Sequence, residues 1–439
     1  MHTLNYVSHP IPAIFGEISV PGDKSISHRA VMLGAIAKGI TTVNGFLDSS
    51  DCLATVAAFE SMGVLIEKHL DQKMIIHGVG KYGLKKPKTI IDCGNAATCM
   101  RLLTGILVAQ DFNSELDGDL SLKKRPIERI HRPLVRMGAN IILHGGKPPI
   151  IIHKAKSITG IIYKMPQASA QVKSCLLLAG MYAKNETLII EPGITRDHTE
   201  RLLTAFSYPI QKSGNSISIN SNGECIGTDI IVPGDMSAAA FFIVAATIIP
   251  NSDIIIKNVG INSTRMGMIE ILWQMGANIV ISNKRLYGEE PVADLHIKYA
   301  VLEGLEISGF MVPQAIDEFP ILCIAAACAQ GQTRLHGAHE LRVKESDRIQ
   351  TMTDGLISLG IEAKALKDGL LINGGELCGG TVDSHYDHRI SMAFAIAGAV
   401  ARQSIIIKNC NNVVTSFPGF IQKATQLNMQ IKEIYADYT

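Results

Sequence analysis

Six times along the chain a β-like apolar run meets a short polar turn and then an Ala-rich apolar stretch, beginning near Pro21, Asp92, Pro166, Pro233, Pro313 and Ser384. The starts recur at roughly 70-residue intervals, the signature of a repeated supersecondary unit. Later in each unit comes an amphipathic stretch that ends in Gly and runs into a second β-like segment. Residues 52–62 before Gly63, 266–275 before Gly276 and 349–359 before Gly360 are examples. Each unit therefore reads strand, helix, strand, helix, strand, with Gly closing helices where positive φ is needed. Six units imply two halves of three. The first helix of a unit is nearly uncharged on every side, as in residues 30–37, 176–181, 241–249, 321–329 and 392–400. A helix that is apolar all round must be buried, so these helices belong inside, covered by sheets and by the second helices. Parallel buried helices would aim their N-termini, each with unpaired N–H groups and about half a positive charge, at a common region. If the two halves face one another, that region is an anion trap between domains.

The phrase Val20-Pro21-Gly22-Asp23-Lys24-Ser25 returns as Val232-Pro233-Gly234-Asp235-Met236-Ser237. The first copy continues into Ser27, His28 and Arg29, the second into Ala238, Ala239 and Ala240. A duplicated scaffold thus carries cations in one half, and the apolar copy is expected to serve packing. With 439 residues the chain exceeds one ordinary core, and a prior of roughly 150 residues per domain gives two or three. Charged residues are only 18% and net charge is +1, which excludes a nucleic-acid backbone as the expected partner. Nine cysteines without a CxxC pair read as buried thiols in a reducing cytosol. Residues 1–10 lack the apolar core of a secretion signal, and the longest apolar run, 238–249, falls short of the roughly 20 residues of a membrane span. The expectation is a soluble, cytoplasmic protein.

Lys and Arg are disfavoured in the first turn of a helix because the macrodipole repels them. They nevertheless cluster at such points: Lys24 and Arg29, Arg101 after Gly94-Asn95-Ala96-Ala97-Thr98, Arg196 before His198, Lys344 and Arg348, and Arg389 beside His388. One such cation is a solvated surface charge; several at equivalent points of a repeat would repel one another without an anionic ligand. Phosphates and carboxylates are the natural ligands. Glu340 to Arg348 is the densest charged segment, and Asp317-Glu318 precede it at a helix start. Carboxylates beside cations can supply a general base and a general acid at neutral pH. Gly78-Val79-Gly80-Lys81-Tyr82-Gly83 fits GxGxxG, but no helix opens behind it, so it reads as a turn. His385, Asp387 and His388 lack a further cluster of metal-ligand spacing, and no metal is expected.

At these residues a resemblance becomes specific. Residues 21–29 (PGDKSISHR), 94–98 (GNAAT), Lys124-Arg125-Pro126, residues 342–348 (RVKESDR) and Asp387-His388-Arg389 together, in order over the whole chain, resemble the 5-enolpyruvylshikimate-3-phosphate synthase family. The resemblance implies a two-domain inside-out α/β barrel of six βαβαββ repeats, three per domain. Domain I would comprise residues 1–20 and 233–439, and domain II residues 21–232, with a two-stranded hinge near 20–21 and 232–233. It implies transfer of the enolpyruvyl group of phosphoenolpyruvate to the 5-hydroxyl of shikimate 3-phosphate, without metal or organic cofactor, in a monomer with no nucleic-acid or membrane partner. By the same resemblance, Lys24, Ser25, Arg29, Ser169, Ala170, Gln171, Arg196, Asp317 and Lys344 contact shikimate 3-phosphate. Lys24, Asn95, Ala97, Arg125, Gln171, Arg348 and Arg389 contact phosphoenolpyruvate. Asp317 is the implied base, Glu345 the acid on the methylene carbon, and Lys24 and His388 complete the catalytic set.

Departures sharpen the comparison. Many members have Gly at the position of Ala97, Asn at Glu340, a second Ser at Ala170 and Lys at Thr415. These differences resemble the family's glyphosate-tolerant class, where a methyl such as that of Ala97 would crowd the longer inhibitor. The related UDP-N-acetylglucosamine enolpyruvyl transferases share the fold but have a reactive Cys before the Arg-Pro pair and Asn after the first Lys. Here Ser121-Leu122-Lys123-Lys124 and Ser25 stand there. A non-catalytic repeat protein would have no need of carboxylates among the cations.

Overall fold

The computed structural model describes residues 3–436. They form six four-stranded sheets and divide into two compact units. Unit 1 comprises residues 1–21, 233–285 and 291–439; unit 2 comprises 22–232 and 286–290.

Unit 2 is built around helices Lys24–Ala35, Ala97–Leu107 and Ala170–Gly180, of which the middle one packs against both others. Unit 1 repeats the plan with Met236–Ile248, Phe319–Ala327 and His388–Ala397, each packed on the other two. All 13 residues of Met236–Ile248 are buried, as the all-round apolar pattern requires. The sheets lie over these helices with one face in and one face out. Ile405–Lys408 and Gln332–Leu335, for instance, alternate strictly between buried and exposed positions. The second helices, such as Ser50–Ser61, Glu128–Arg136 and Arg348–Ser358, are amphipathic.

Within a typical sheet the leading strand pairs in parallel with the strand beyond the buried helix, and an antiparallel hairpin completes the four. The sheet Ile91–Asp92, Ser114–Asp117, Lys147–His153, Asn140–His144 shows the order. Two departures lie where local pattern could not reveal them. Phe15–Ser19 leads toward helix Lys24–Ala35 yet pairs with Asp253–Gly260 in unit 1, and Asp229–Ile231 leads toward Met236–Ile248 yet pairs with Lys38–Asn44 in unit 2. The leading strands of the two first repeats are exchanged. In the last sheet the N-terminal strand Thr3–His9 lies antiparallel between Ile405–Lys408 and Gln430–Ala436.

The twin phrases sit at these exchanges, and their glycines are there for close approach. A Cβ on Gly22 would lie 2.0 Å from the Gly45 carbonyl oxygen and 3.1 Å from Val232 Cγ1; one on Gly234 would lie 3.0 Å from Val20 Cγ2. Each copy's Gly therefore packs on the other copy's Val. Both Asp residues cap the helix that follows: Asp23 accepts from the Ile26 N–H at 2.9 Å and Asp235 from the Ser237 N–H at 2.8 Å.

Other expectations meet mixed outcomes. Met74–Val79 is a strand that runs into a turn at Gly80 with φ of 78°, and no helix follows the GxGxxG pattern. All nine cysteines are free thiols, but Cys378 is exposed and Cys328 half-buried, against the reading of uniformly buried thiols. Among the described residues no helix is long and apolar enough to cross a membrane.

Candidate active site

The predicted site residues fall into two sets, one in each unit. In unit 2, Lys24 opens its helix and its ammonium pairs with Asp51, a buried carboxylate on helix Ser50–Ser61. Ser25 is half-buried, and its carbonyl oxygen accepts from Arg29 Nη1 at 2.9 Å. The Arg29 guanidinium is buried, donating through Nε to Thr199 Oγ1 (2.6 Å) and through Nη2 to Ser174 Oγ (2.9 Å). Burial lowers its pKa to about 10, with Glu200 and Asp23 opposing the drop and the neighbouring Arg196 adding to it. Arg29 still carries its charge at neutral pH, and Arg196 is near enough to feel it.

A second group in unit 2 gathers at the start of helix Ala97–Leu107. Arg125 Nη2 donates to Asn95 Oδ1 at 3.3 Å, and Asn95 Nδ2 donates to Asp119 Oδ2 at 2.7 Å. Gln171 Nε2 donates to Thr98 Oγ1 at 3.0 Å while Gln171 Oε1 accepts from Arg101, whose Nη2 holds the Pro126 carbonyl at 3.1 Å. The structure thus brings Asn95, Ala97, Arg125 and Gln171 together through Thr98, Arg101 and Pro126. Ser169 caps helix Ala170–Gly180, its hydroxyl accepting from Val172 N–H at 3.4 Å. Ala170 is the first residue of that helix and Ala97 the first of its own.

In unit 1 the set is tighter. Arg348 opens helix Arg348–Ser358 and is 2% exposed. Its Nε donates to Asp387 Oδ2 at 2.8 Å, and its Nη2 donates to Asp387 Oδ1 at 3.2 Å and to Glu345 Oε2 at 2.7 Å. Nη1 makes no hydrogen bond and lies 3.8 Å from Asp317 Oδ1. Burial alone would lower the Arg348 pKa, but Asp387, Glu345 and Asp317 more than offset it and hold the group well above the usual arginine value. Burial likewise works to raise the Asp387 carboxyl, and Arg348 outweighs it, so Asp387 stays below the ordinary aspartate value. Lys344 Nζ lies 3.4 Å from the same Asp317 oxygen. Asp317 follows a four-residue helical turn, Val312–Ala315, rather than opening a helix itself; Glu318 takes the position before Phe319–Ala327. Arg389 Nη1 donates to the Asp317 carbonyl at 2.9 Å. His388 is the first residue of its helix and is buried.

Asp387 does more than sequence reading assigned it. It caps helix His388–Ala397 through the Arg389 N–H at 3.0 Å, accepts from Ser346 Oγ at 3.1 Å, and orients Arg348. The turn before it holds His385 and Tyr386 at φ of 50° and 59°, two successive left-handed residues that are not Gly. Asp51, Asp119, Ser174 and Thr199 were also missed, since no local pattern says which polar side chain will meet Lys24, Asn95 or Arg29; Glu318 is picked out by sequence together with Asp317. Thr415 turns to its own segment, donating to the Asn412 carbonyl at 2.7 Å. Glu340 lies 3.7 Å from His339. Among the described residues no group of three or more His, Cys, Asp or Glu side chains is arranged to hold a metal ion.

Comparison with known proteins gives a consistent result. A family model described as EPSP synthase (3-phosphoshikimate 1-carboxyvinyltransferase) matches residues 9–424. The 3-phosphoshikimate 1-carboxyvinyltransferase of Legionella pneumophila subsp. pneumophila is 61% identical over 430 residues, covering 98% of this chain and 99% of that protein. That of Coxiella burnetii is 52% identical over 432 residues, covering 98% and 99%. The solved structure of EPSP synthase from Acinetobacter baumannii superposes with a TM-score of 0.89 at 49% identity, covering 99% of this chain and all of that one.

Proposed function

The chain belongs to the EPSP synthase family and has its two-domain inside-out α/β fold, and from that premise we propose that it is a 3-phosphoshikimate 1-carboxyvinyltransferase. It transfers the enolpyruvyl group of phosphoenolpyruvate to the 5-hydroxyl of shikimate 3-phosphate and releases phosphate. The observation that carries this reading is the state of Arg348. A buried guanidinium has two of its nitrogens held by Asp387 and Glu345 while Nη1 makes no hydrogen bond. A buried donor of this kind is costly unless a ligand meets it, and a substrate carboxylate is the matching group.

In this reading Arg348 and Arg389 bind the phosphoenolpyruvate carboxylate, and Lys24 and Arg125 its phosphate, with Asn95, Ala97 and Gln171 lining the same pocket. Ser25 and Arg29 bind the shikimate carboxylate; Ser169, Gln171 and Arg196 bind its phosphate, with Ala170 alongside. Asp317 takes the proton of the 5-hydroxyl, and Lys344 positions the neighbouring hydroxyl. Glu345 gives a proton to the methylene carbon of phosphoenolpyruvate, which makes C2 electrophilic toward the attacking oxygen. The tetrahedral adduct then expels phosphate as its new methyl group returns a proton, which restores the double bond. Lys24 and His388 stand beside the reacting groups, and the cations stabilise the leaving phosphate.

Phosphate release from shikimate 3-phosphate plus phosphoenolpyruvate, against release with UDP-N-acetylglucosamine as acceptor, tests the reading directly. Release only with the nucleotide sugar, or with neither acceptor, refutes it. Glu345→Gln should abolish release while both substrates still bind; near-normal turnover would remove Glu345 from its role.

A further inference from the structure

The second Pro-Gly-Asp phrase carries no cation toward the substrates, yet its polar side chains are buried in an ionic cluster within unit 1. Glu318 is 1% exposed, and its Oε1 accepts from the Ser237 hydroxyl. Arg265, also buried, donates from Nη2 to Ser237 Oγ at 2.6 Å and to Asp235 Oδ1 at 3.2 Å, and that nitrogen lies 3.5 Å from Glu318 Oε1. Arg389 Nη1 also lies 3.9 Å from the same carboxylate oxygen. That separation is an ion pair beyond hydrogen-bond reach, although Nη1 does bond the carbonyl of Asp317, the residue before Glu318. Glu318 Oε2 makes no hydrogen bond.

A buried carboxylate with one oxygen making no hydrogen bond, beside a guanidinium, should close on it and form a bidentate pair. Here it does not: Oε1 accepts from Ser237 and lies beside Arg265, while Arg389 stays at 3.9 Å. We infer that the Asp235–Ser237 turn restrains Glu318 at a stand-off from Arg389, so that the carboxylate orients that guanidinium without occupying the face that binds the substrate carboxylate. Ser237 is then a positioning residue for phosphoenolpyruvate, acting through Glu318. The inference rests on the proposed role of Arg389.

Ser237→Ala removes one hydroxyl from a helix that keeps its Asp235 cap and releases one anchor of Glu318. The Michaelis constant for phosphoenolpyruvate should rise roughly tenfold, in line with losing a charged hydrogen bond, while that for shikimate 3-phosphate stays unchanged. The double variant S237A/E318Q should return part of the way toward the wild-type constant, because a neutral amide competes more weakly for Arg389 although it also orients it less. A merely structural role predicts the opposite, with the double variant worse than the single one. A crystal structure of S237A gives a second readout independent of turnover. Glu318 within hydrogen-bond distance of Arg389 supports the restraint, and Glu318 unmoved overturns it. If Glu318 has closed on Arg389 and the phosphoenolpyruvate constant is unchanged, the restraint stands and the substrate role of Arg389 falls.

Discussion

Replacing Asp387 by Asn removes one negative charge and one acceptor from the most heavily bonded carboxylate of the candidate site. Asp387 is fully buried and accepts from four donors, namely Nε and Nη2 of Arg348, the Ser346 hydroxyl and the Arg389 N–H. An amide keeps one oxygen, and its NH2 must then face a donor. Breaking a buried pair by removing one partner costs about 3–5 kcal/mol. Glu345 and Asp317 continue to compensate Arg348, so the low end, about 3 kcal/mol, is the better expectation. For a unit of this size that is a fall in melting temperature of roughly 6–12 °C. The sign with pH follows from the depressed carboxyl of Asp387. Its contribution is complete above the ordinary aspartate value and is lost only as pH falls through the lower folded value, so the gap between wild type and variant is fully open at pH 6 to 8. Calorimetry at pH 7 measures the first effect. Steady-state phosphate release measures the second, a rise of about tenfold or more in the Michaelis constant for phosphoenolpyruvate, with that for shikimate 3-phosphate little changed. A variant with wild-type melting temperature and wild-type phosphoenolpyruvate constant would refute the reasoning.

Two further outcomes are expected. His28 is fully buried, its Nδ1 2.6 Å from Thr55 Oγ1, and burial followed by Lys24 and Arg29 holds its pKa well below the usual histidine value. The unfolded chain therefore takes up this proton first as pH falls below about 6.5, and the folded state loses up to about 1.4 kcal/mol per pH unit from there downward. His28→Gln should flatten that loss in urea unfolding at pH 7.5, 6.5 and 5.5, and parallel curves would contradict it. We propose that the Ala97 methyl, at the first position of its helix, crowds glyphosate in the phosphoenolpyruvate pocket, so Ala97→Gly should make the enzyme roughly tenfold more sensitive to glyphosate with little change in phosphoenolpyruvate affinity. Unchanged inhibition would overturn that proposal.

The buried helices and the repeat were legible because all-round apolar character dictates burial whatever the partner. What stayed hidden depends on partner identity. Phe15–Ser19 and Asp229–Ile231 look like any leading strand, and only pairing over long stretches of chain decides that they exchange sheets. The seat of Thr3–His9 between strands some 400 residues away in sequence is equally invisible to local periodicity. In the site, helix starts and the family motifs brought out Lys24, Arg29, Arg348 and Arg389. The carboxylates that hold such cations were harder to see. Asp51 reads as an ordinary residue at a helix start and Ser237 as part of an apolar helix, while Glu318 stands out beside Asp317 with no sign that it would face Ser237 and Arg265.

Arg29 and Arg348, two of the buried arginines, show why cations can persist near helix N-termini that repel them. Arg348 is bonded to carboxylates, which raise its pKa and fix two edges of the guanidinium before any substrate arrives. Its charge is largely compensated, and a ligand gains from geometry at Nη1 more than from net field. Arg29 is bonded only to two hydroxyls and a carbonyl oxygen, and burial pulls its pKa down to about 10. No carboxylate shares its hydrogen bonds, so an incoming anion there meets an under-compensated charge in a low-dielectric setting, where attraction is strongest. Arg29 is thus suited to capture an anion and Arg348 to align one. That division fits a reaction in which one substrate must be held while the carbon centre of the other is presented at a defined angle to an acid and a base.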